Sequence, residues 1–477
     1  MDGLALPIDL RELEAWSQAP DRPSGDLGVW LDLLDASARS QLLRILRAPL
    51  VTDRSFAQQV LASWAGQQLL QELDGLISTD QGEAGALLYR TLSTLLRDQR
   101  QVTTIELLRA LPTRRLVLNL EGGVALASEW RRQLLAQGQA LRALRQLPLP
   151  ERDAAEGDDA PRLLPVQRLS LAVPHRPQPL QLLIRPASSS AWVLLSPGLG
   201  GSAAQLEWLA AGLQRRGWSV LLLDHPGSDE QAVRELLEGR RPLPGAETLS
   251  DRVLDLRAVV AAVDRGTLPR LGDRVVLMGH SLGGLTGLLA AGLRPEPGLA
   301  RRCRRALNGI PLTNLSRLLQ CPDVPLPPPQ PLAQPLAAVV TLNGFGSLLW
   351  PQGGLRGLKV PALLVGGSLD LITPPVSEQL QLFLANPVRQ SRLVVLDGAS
   401  HFSPVRIATS RQALFQLGAE LVGVEPQRVQ ALTLSLCVDF LERLAAGLPP
   451  QRRQLGGVTA YVLNRRLAEQ WWSRINP

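Results

Sequence analysis

Two periodicities divide the chain. Up to about residue 147, apolar positions recur at helical spacing. Ser55 stands as an N-cap before Phe56, Val60 and Trp64, then Leu69, Leu73 and Leu76. Thr104 precedes Ile105, Leu107, Leu108 and Leu111, and Pro112 closes that segment. From Gly123 to Leu147, Trp130, Leu134, Leu141 and Leu144 share one face, with Arg131, Arg132, Arg142 and Arg145 on the other. Such stripes predict an all-α helical domain over 1–147, its apolar faces forming a bundle core. Residues 148–165 carry Glu151, Asp153, Glu156, Asp158 and Asp159, and read as an exposed acidic linker.

Beyond 165 the pattern becomes short apolar runs alternating with helical stretches. Strands are predicted at Leu169–Val173, Leu180–Ile184, Trp192–Leu195, Val220–Leu223, Val275–Met278, Ala306–Leu307, Ala362–Val365 and Leu393–Leu396. Helices are predicted near Ala203–Arg216, Ser250–Asp264, Leu282–Leu293 and Val376–Leu384. That alternation implies an α/β domain over 166–425, a mostly parallel sheet with helices on both faces. Segment 310–357, with Pro322, Pro325 and Pro327–Pro329, is longer than a connection between core strands needs and reads as a lid insertion. The tail, 426–477, reads as helices docking on the body.

A chain of 477 residues with 45% hydrophobic content is ample for two domains with sizeable cores. No window approaches the roughly 18 uninterrupted apolar residues of a membrane span. The net charge of +7 is spread along the chain and is almost all arginine, Lys359 being the only lysine. Its densest run, Arg301–Arg305, has no aromatic interleaving, so nucleic acid is not an expected partner. Weak association with an anionic membrane surface or with acidic partners is left open by the charge. Cys303, Cys321 and Cys437 are odd in number and far apart, so they are expected to be reduced packing residues. The N-terminus shows neither a basic n-region nor an h-region, which makes a cytoplasmic location the expectation; a start further upstream would reopen export. Oligomeric state is not legible.

The chemistry concentrates in Gly279-His280-Ser281-Leu282-Gly283, entered by the apolar run Val275–Met278 and followed by a helical stretch. This is the strand–turn–helix context of a nucleophile elbow, in which a strained turn exposes the Ser281 hydroxyl. A serine nucleophile needs a base, and the chain holds four histidines, His175, His225, His280 and His401. His175 lies in a Pro-flanked turn, and His280 sits within the elbow, directed away from the hydroxyl. His401 follows the last core strand, where a base in an α/β sheet belongs, and is the candidate. The acid that orients it is Asp370, one strand earlier, with Asp397 as rival; the strand before the lid ends in Asn308 and offers no acid. Oxyanion donors are expected in the Leu282 amide and in the loop Ser196-Pro197-Gly198-Leu199-Gly200-Gly201, from Leu199 with Gly200 as the alternative. His225, in Asp224-His225-Pro226-Gly227, is read equally as lining the pocket or as a structural turn. No metal or cofactor is called for.

These motifs, with Gly367–Asp370 and Ser400-His401-Phe402, make residues 166–425 resemble the α/β-hydrolase superfamily, near bacterial serine esterases related to platelet-activating-factor acetylhydrolases and dienelactone hydrolases. The helical leading part is similar to a bacterial subgroup whose N-terminal domain has no assigned function. The resemblance implies a Ser-His-Asp hydrolase of carboxylic esters, with a small-molecule ester or lipid as substrate. An acyltransferase, a thioesterase or a non-catalytic binding protein on the same fold are the alternatives. Two departures stand out. Pro197 replaces the histidine that relatives often carry before the oxyanion-loop glycine. Asn308 stands where acetylhydrolases of the platelet-activating-factor type are thought to take their acid.

Overall fold

The computed structural model describes residues 5–21, 25–47, 49–51, 73–80, 82–98, 102–153, 165–229, 231–232, 247–306, 314–321, 326–405 and 426–476. The chain divides into two compact units between Arg132 and Gln133, inside the helix Leu120–Arg145 and upstream of the expected boundary at 147. The first unit is mainly helical, with Leu10–Gln18, Gly25–Asp32, Ala36–Arg47, Ala84–Asp98 and Thr104–Ala110. Asp9 caps the first of these by accepting the Arg11 and Glu12 amides, and Thr103 with Glu106 forms a reciprocal capping box on the last. The all-α expectation is corrected by short strands: β1 (Ala5–Asp9), β2 (Pro49–Val51), β3 (Ile77–Thr79), β4 (Gly82–Glu83), β5 (Val102–Thr103) and β6 (Arg115–Asn119). They form one sheet in the order β1-β6-β3-β4 and a β2-β5 pair. Strands of two to five residues are too short to print an alternating pattern on the sequence. Leu10, Leu13, Trp16, Leu27, Leu31, Leu87 and Leu116 fill the core of this unit. The helix expected after Ser55 lies outside the described residues as far as residue 72.

The second unit is organised by one sheet. Its strands are β7 (Glu151–Asp153), β8 (Gln167–Leu171), β9 (Leu180–Arg185), β10 (Ala191–Ser196), β11 (Ser219–Leu223), β12 (Arg274–His280), β13 (Leu336–Leu342), β14 (Ala362–Gly367), β15 (Arg392–Asp397), β16 (Gln451–Leu455) and β17 (Val458–Leu463). Their spatial order is β7-β16-β17-β15-β14-β13-β12-β10-β11-β9-β8. The six from β11 to β15 run parallel, while β9 and β17 pair antiparallel on the two flanks. Central strands are apolar on both faces, as a sheet covered by helices on both sides demands. Along β10, Trp192 and Leu194 pack into the layer holding Leu256, Val260, Leu285 and Trp471. Val193 and Leu195 pack into the opposite layer, with Leu209, Leu213, Leu432 and Leu436.

Five expectations change. Part of the predicted acidic linker, Glu151–Asp153, is an edge strand paired to β16, with Glu151 ion-paired to Arg452; 154–164 lie outside the described residues. Of the strand expected at Ala306–Leu307, Ala306 is the last residue of the helix Leu299–Ala306, and Leu307 lies outside the described residues. The slot between β12 and β14 belongs to β13, deep inside the predicted 310–357 lid. Residues 343–358 are core as well, since Phe345, Leu349, Trp350 and Leu355 are buried. The buried Glu378 carboxylate fastens them, accepting the Gly346 and Ser347 amides, the Ser347 hydroxyl and the Asn314 side chain. The tail is a helix, Pro426–Glu442, then the β16–β17 hairpin, then a helix, Arg465–Ile475. Finally, Cys303 and Cys321 are joined in a disulfide while Cys437 is free and buried, so the expectation of three reduced cysteines is corrected.

Candidate active site

The elbow is built by sterics. β12 delivers Ser281 at φ 52° and ψ −120°, and the helix Leu282–Ala290 starts on the next residue. A non-glycine residue held there stores on the order of 1–3 kcal/mol of backbone strain, maintained only because its surroundings over-determine it. Gly279 and Gly283 make the turn possible. A Cβ on Gly279 would lie 2.3 Å from the Gly283 carbonyl carbon, and one on Gly283 would lie 2.2 Å from the Ser196 oxygen. The Ser281 amide, donating to the Leu342 carbonyl at 2.8 Å, continues the sheet ladder into the turn.

Around Ser281 the structure assembles the three residues singled out in the sequence. Ser281 Oγ is 3.0 Å from His401 Nε2, and His401 Nδ1 is 2.8 Å from Asp370 Oδ2. All three side chains are buried. Asp370 also accepts the Asn343 amide at 2.5 Å, the Thr373 hydroxyl at 2.6 Å, and the Ile372 and Thr373 backbone amides. Burial works against the Asp370 charge, but the His401 ring and the Thr373 donors outweigh it and hold the carboxyl at about 2. An ionised Asp370 fixes the tautomer: His401 Nδ1–H donates to it, which leaves Nε2 as acceptor for the Ser281 hydroxyl. His280 is turned away from Ser281, and its Nε2 lies 2.9 Å from the His401 carbonyl oxygen. Burial and the neighbouring His401 keep His280 neutral by lowering it to about 3.

Asp397, the rival acid, is occupied elsewhere. Arg145 donates to it through Nε and Nη2 at 3.0 and 2.8 Å, and the Ser368 hydroxyl donates at 3.3 Å. Asn308 lies outside the described residues, and the residue that closes the strand before β14 is Asn343. It follows directly on β13 at φ 51°, and its side-chain amide donates to Asp370. Sequence reasoning passed over Asn343 because the segment around it was assigned to the lid. The signal present was a strand-like Ala337–Leu342 followed by Asn343-Gly344, an N-G turn dipeptide.

Two backbone segments border the hydroxyl. Leu282 is the first residue of its helix, so its amide has no intrahelical acceptor. The 197–201 loop passes beside Ser281, since a Cβ on Gly198 would come within 3.2 Å of the Ser281 Cβ. In that loop the Gly200 amide donates to the Ser228 carbonyl at 2.8 Å, which removes Gly200 as the alternative donor. Among the described residues no backbone acceptor takes the Leu199 amide.

His225 does not line a pocket. It is fully buried, with Nδ1 2.7 Å from Asp255 Oδ2 and Nε2 2.8 Å from Ser196 Oγ. Burial and the nearby Arg252 lower it to about 3, so the ring is neutral. Asp255 also accepts His175 and both Nε and Nη2 of Arg176. Ser196, His225 and Asp255 thus repeat the connectivity of the Ser281 relay, but closed to solvent and with Arg252 donating to the Ser196 hydroxyl at 3.3 Å. Composition gives no sign of this second relay; only packing reveals it.

Residues 187–413 match the family described as alpha/beta hydrolase, and residues 1–119 match a family described as alpha/beta hydrolase of unknown function. The chain is 25% identical over 213 residues to Cutinase 1 of Thermobifida cellulosilytica, covering 44% of this chain and 60% of that one. It is equally 25% identical over 213 residues to the cutinase of Thermobifida fusca, covering 52% of that protein. The chain therefore spans little more than half the length of the curated relatives it matches. With the parallel sheet, the elbow on β12 and the helices on both faces, the match over 187–413 makes the second unit an α/β-hydrolase domain.

Proposed function

We propose that this hydrolase cleaves carboxylic esters by a two-step acyl-enzyme mechanism at Ser281. The observation that carries the reading is the unbroken hydrogen-bonded line from Ser281 Oγ through His401 to Asp370, at 3.0 and 2.8 Å, with Ser281 held in the strained elbow. Ser281 Oγ attacks the ester carbonyl carbon while His401 Nε2 takes its proton. Asp370 holds the imidazole in the accepting tautomer and stabilises the imidazolium that forms. The Leu282 and Leu199 amides receive the developing oxyanion. The imidazolium returns its proton to the leaving alkoxide, and the alcohol departs. Water, activated in turn by His401, then attacks the acyl-enzyme and frees the acid. The likeness to cutinases supports an ester over an amide as substrate.

The test is labelling with a fluorophosphonate probe together with a panel of p-nitrophenyl esters of graded acyl length. The intact chain should be labelled and should turn over at least one ester. Ser281→Ala should lose the label and reduce kcat by about 10⁴-fold or more. An unlabelled, inactive intact chain sinks the reading, as does a Ser281→Ala variant that keeps its activity.

A further inference from the structure

The two segments that border the Ser281 hydroxyl come from different elements, the β10 loop and the first turn of the Leu282–Ala290 helix. The strands that lead into them, β10 and β12, pair as far as Ser196 and Gly279. Beyond the strand ends, a set of side-chain hydrogen bonds to both segments converges on Arg252, fully buried in the helix Glu247–Asp264. Its Nη2 donates to the Pro197 carbonyl oxygen and, at 3.3 Å, to the Ser196 hydroxyl. Its Nη1 donates to Ser228 Oγ at 2.7 Å, and the carbonyl of that same Ser228 accepts the Gly200 amide. Its Nε donates to Thr286 Oγ1 at 3.3 Å, and Thr286 in turn donates to the Leu282 carbonyl at 2.7 Å.

We infer that Arg252 is the positioning residue of the oxyanion site, one guanidinium that fixes the Pro197–Gly200 loop and the Leu282 turn against each other. The inference rests on ester cleavage at Ser281 as proposed above. Three observations carry it. First, the planar fork of a guanidinium is the side chain that presents several donors in fixed directions, and here each reaches a group tied to one bordering segment. Second, a cation so deeply buried is costly unless its surroundings need it, and its partners are mostly neutral hydroxyls and carbonyls. Third, the buried Ser196–His225–Asp255 line runs into the same guanidinium. With His225 Nδ1–H on Asp255, Nε2 accepts the Ser196 hydroxyl proton, and Ser196 Oγ is then free to accept from Arg252. The Asp255 anion faces the group through that line, while Arg176 neutralises its other side. Pro197 contributes by what it lacks. Without an N–H, its backbone is held through the carbonyl, the atom Arg252 takes.

An oxyanion site loosened in this way loses transition-state stabilisation and keeps substrate binding, which separates positioning from mere folding. In the full-length protein, Arg252→Met should lower kcat for p-nitrophenyl acetate by about 10²-fold, with KM within threefold of the parent. Phenylboronic acid, which forms a tetrahedral adduct on the serine, should bind more weakly by a similar factor. Thr286→Val should lower kcat about tenfold, and Thr286→Ser, which keeps the hydroxyl, should restore it. A folded Arg252→Met variant with parent-like kcat, or with reduced kcat and unchanged boronate affinity, overturns the inference. If Arg252→Met does not fold, the Thr286 pair decides, and a Thr286→Val variant as active as the parent overturns it. Failure of the underlying reading is distinct, because the parent protein would then take no fluorophosphonate label and both statements would fall together.

Discussion

Asp370 shows how much one side chain depends on its neighbours for its chemistry. Five donors surround its two oxygens, so the carboxylate stays ionised in a place where burial alone would neutralise it. Replacing it with asparagine keeps the shape and removes the charge. Asp370→Asn should therefore fold normally yet reverse the His401 tautomer, because the asparagine amide presents a donor to Nδ1. A fall in kcat of about 10⁴-fold at unchanged KM is expected, read from steady-state ester hydrolysis beside a thermal melt. A fall of less than tenfold would mean that the tautomer is set by something else. At this scale the sequence is legible where a motif names the residue. Ser281 is marked by its flanking glycines, and His401 by its place after a core strand. Asn343, Thr373 and Arg252 carry no such mark, since asparagine, threonine and arginine are common everywhere and these acquire roles only by what folding brings beside them. Asp397 ends β15 and Asp370 lies just beyond the end of β14, and the choice between them turns on Arg145, more than 200 residues away, which takes Asp397.

At the level of elements, the parallel strands from β10 to β15 print themselves as apolar runs because both their faces are covered. The hairpin β16–β17 does not. Its first strand, Gln451-Arg452-Arg453-Gln454-Leu455, is polar because it lies near the sheet edge, and only β17 reads as apolar. A tail that looks helical therefore hides the two strands that close the sheet beyond β15. β13 is masked differently, by a proline-rich approach that resembles an insertion and by a competing run at Ala306–Leu307. The hairpin has a clear consequence. Leu393, Val394, Val395 and Leu396 of β15 pair with β17, so deleting residues 451–477 would expose the backbone edge of a strand with four consecutive apolar residues at its centre. Such an edge templates aggregation. Truncation after Pro450 should move the protein from the soluble to the insoluble fraction on expression, even though every residue of the Ser281 site remains. A soluble, cooperatively melting truncated protein would show that β15 needs no cover.

For the molecule as a whole, two features set its stability under changing conditions. The Cys303–Cys321 bridge closes a loop of 18 residues, and loop-closure entropy assigns about 3 kcal/mol to a loop of that size. The double substitution Cys303→Ser, Cys321→Ser should lower the denaturation midpoint accordingly, and thiol titration of the unfolded, unreduced parent should count one cysteine, Cys437. Three reactive thiols would restore the original expectation. Acid acts through different groups. His225 and His280 are neutral and buried, each lowered to about 3, whereas an unfolded chain protonates its histidines near 6.5. Between those values the unfolded state binds more protons than the native state, so stability rises with pH across the window and falls on acidification below about 6.5. The loss is about 1.4 kcal/mol per pH unit for each ring. Asp370, lowered from 3.8 to about 2, acts later: the stability it confers is full above about 4 and is lost only as pH falls towards 2. The melting temperature should therefore begin to drop near pH 6, well before any carboxylate is protonated. His280→Gln keeps a donor for the His401 carbonyl and removes one titrating ring, so it should flatten the decline between pH 6.5 and 4. A parent melting temperature that is constant down to pH 4.5 would mean that these rings take up protons in the folded state after all.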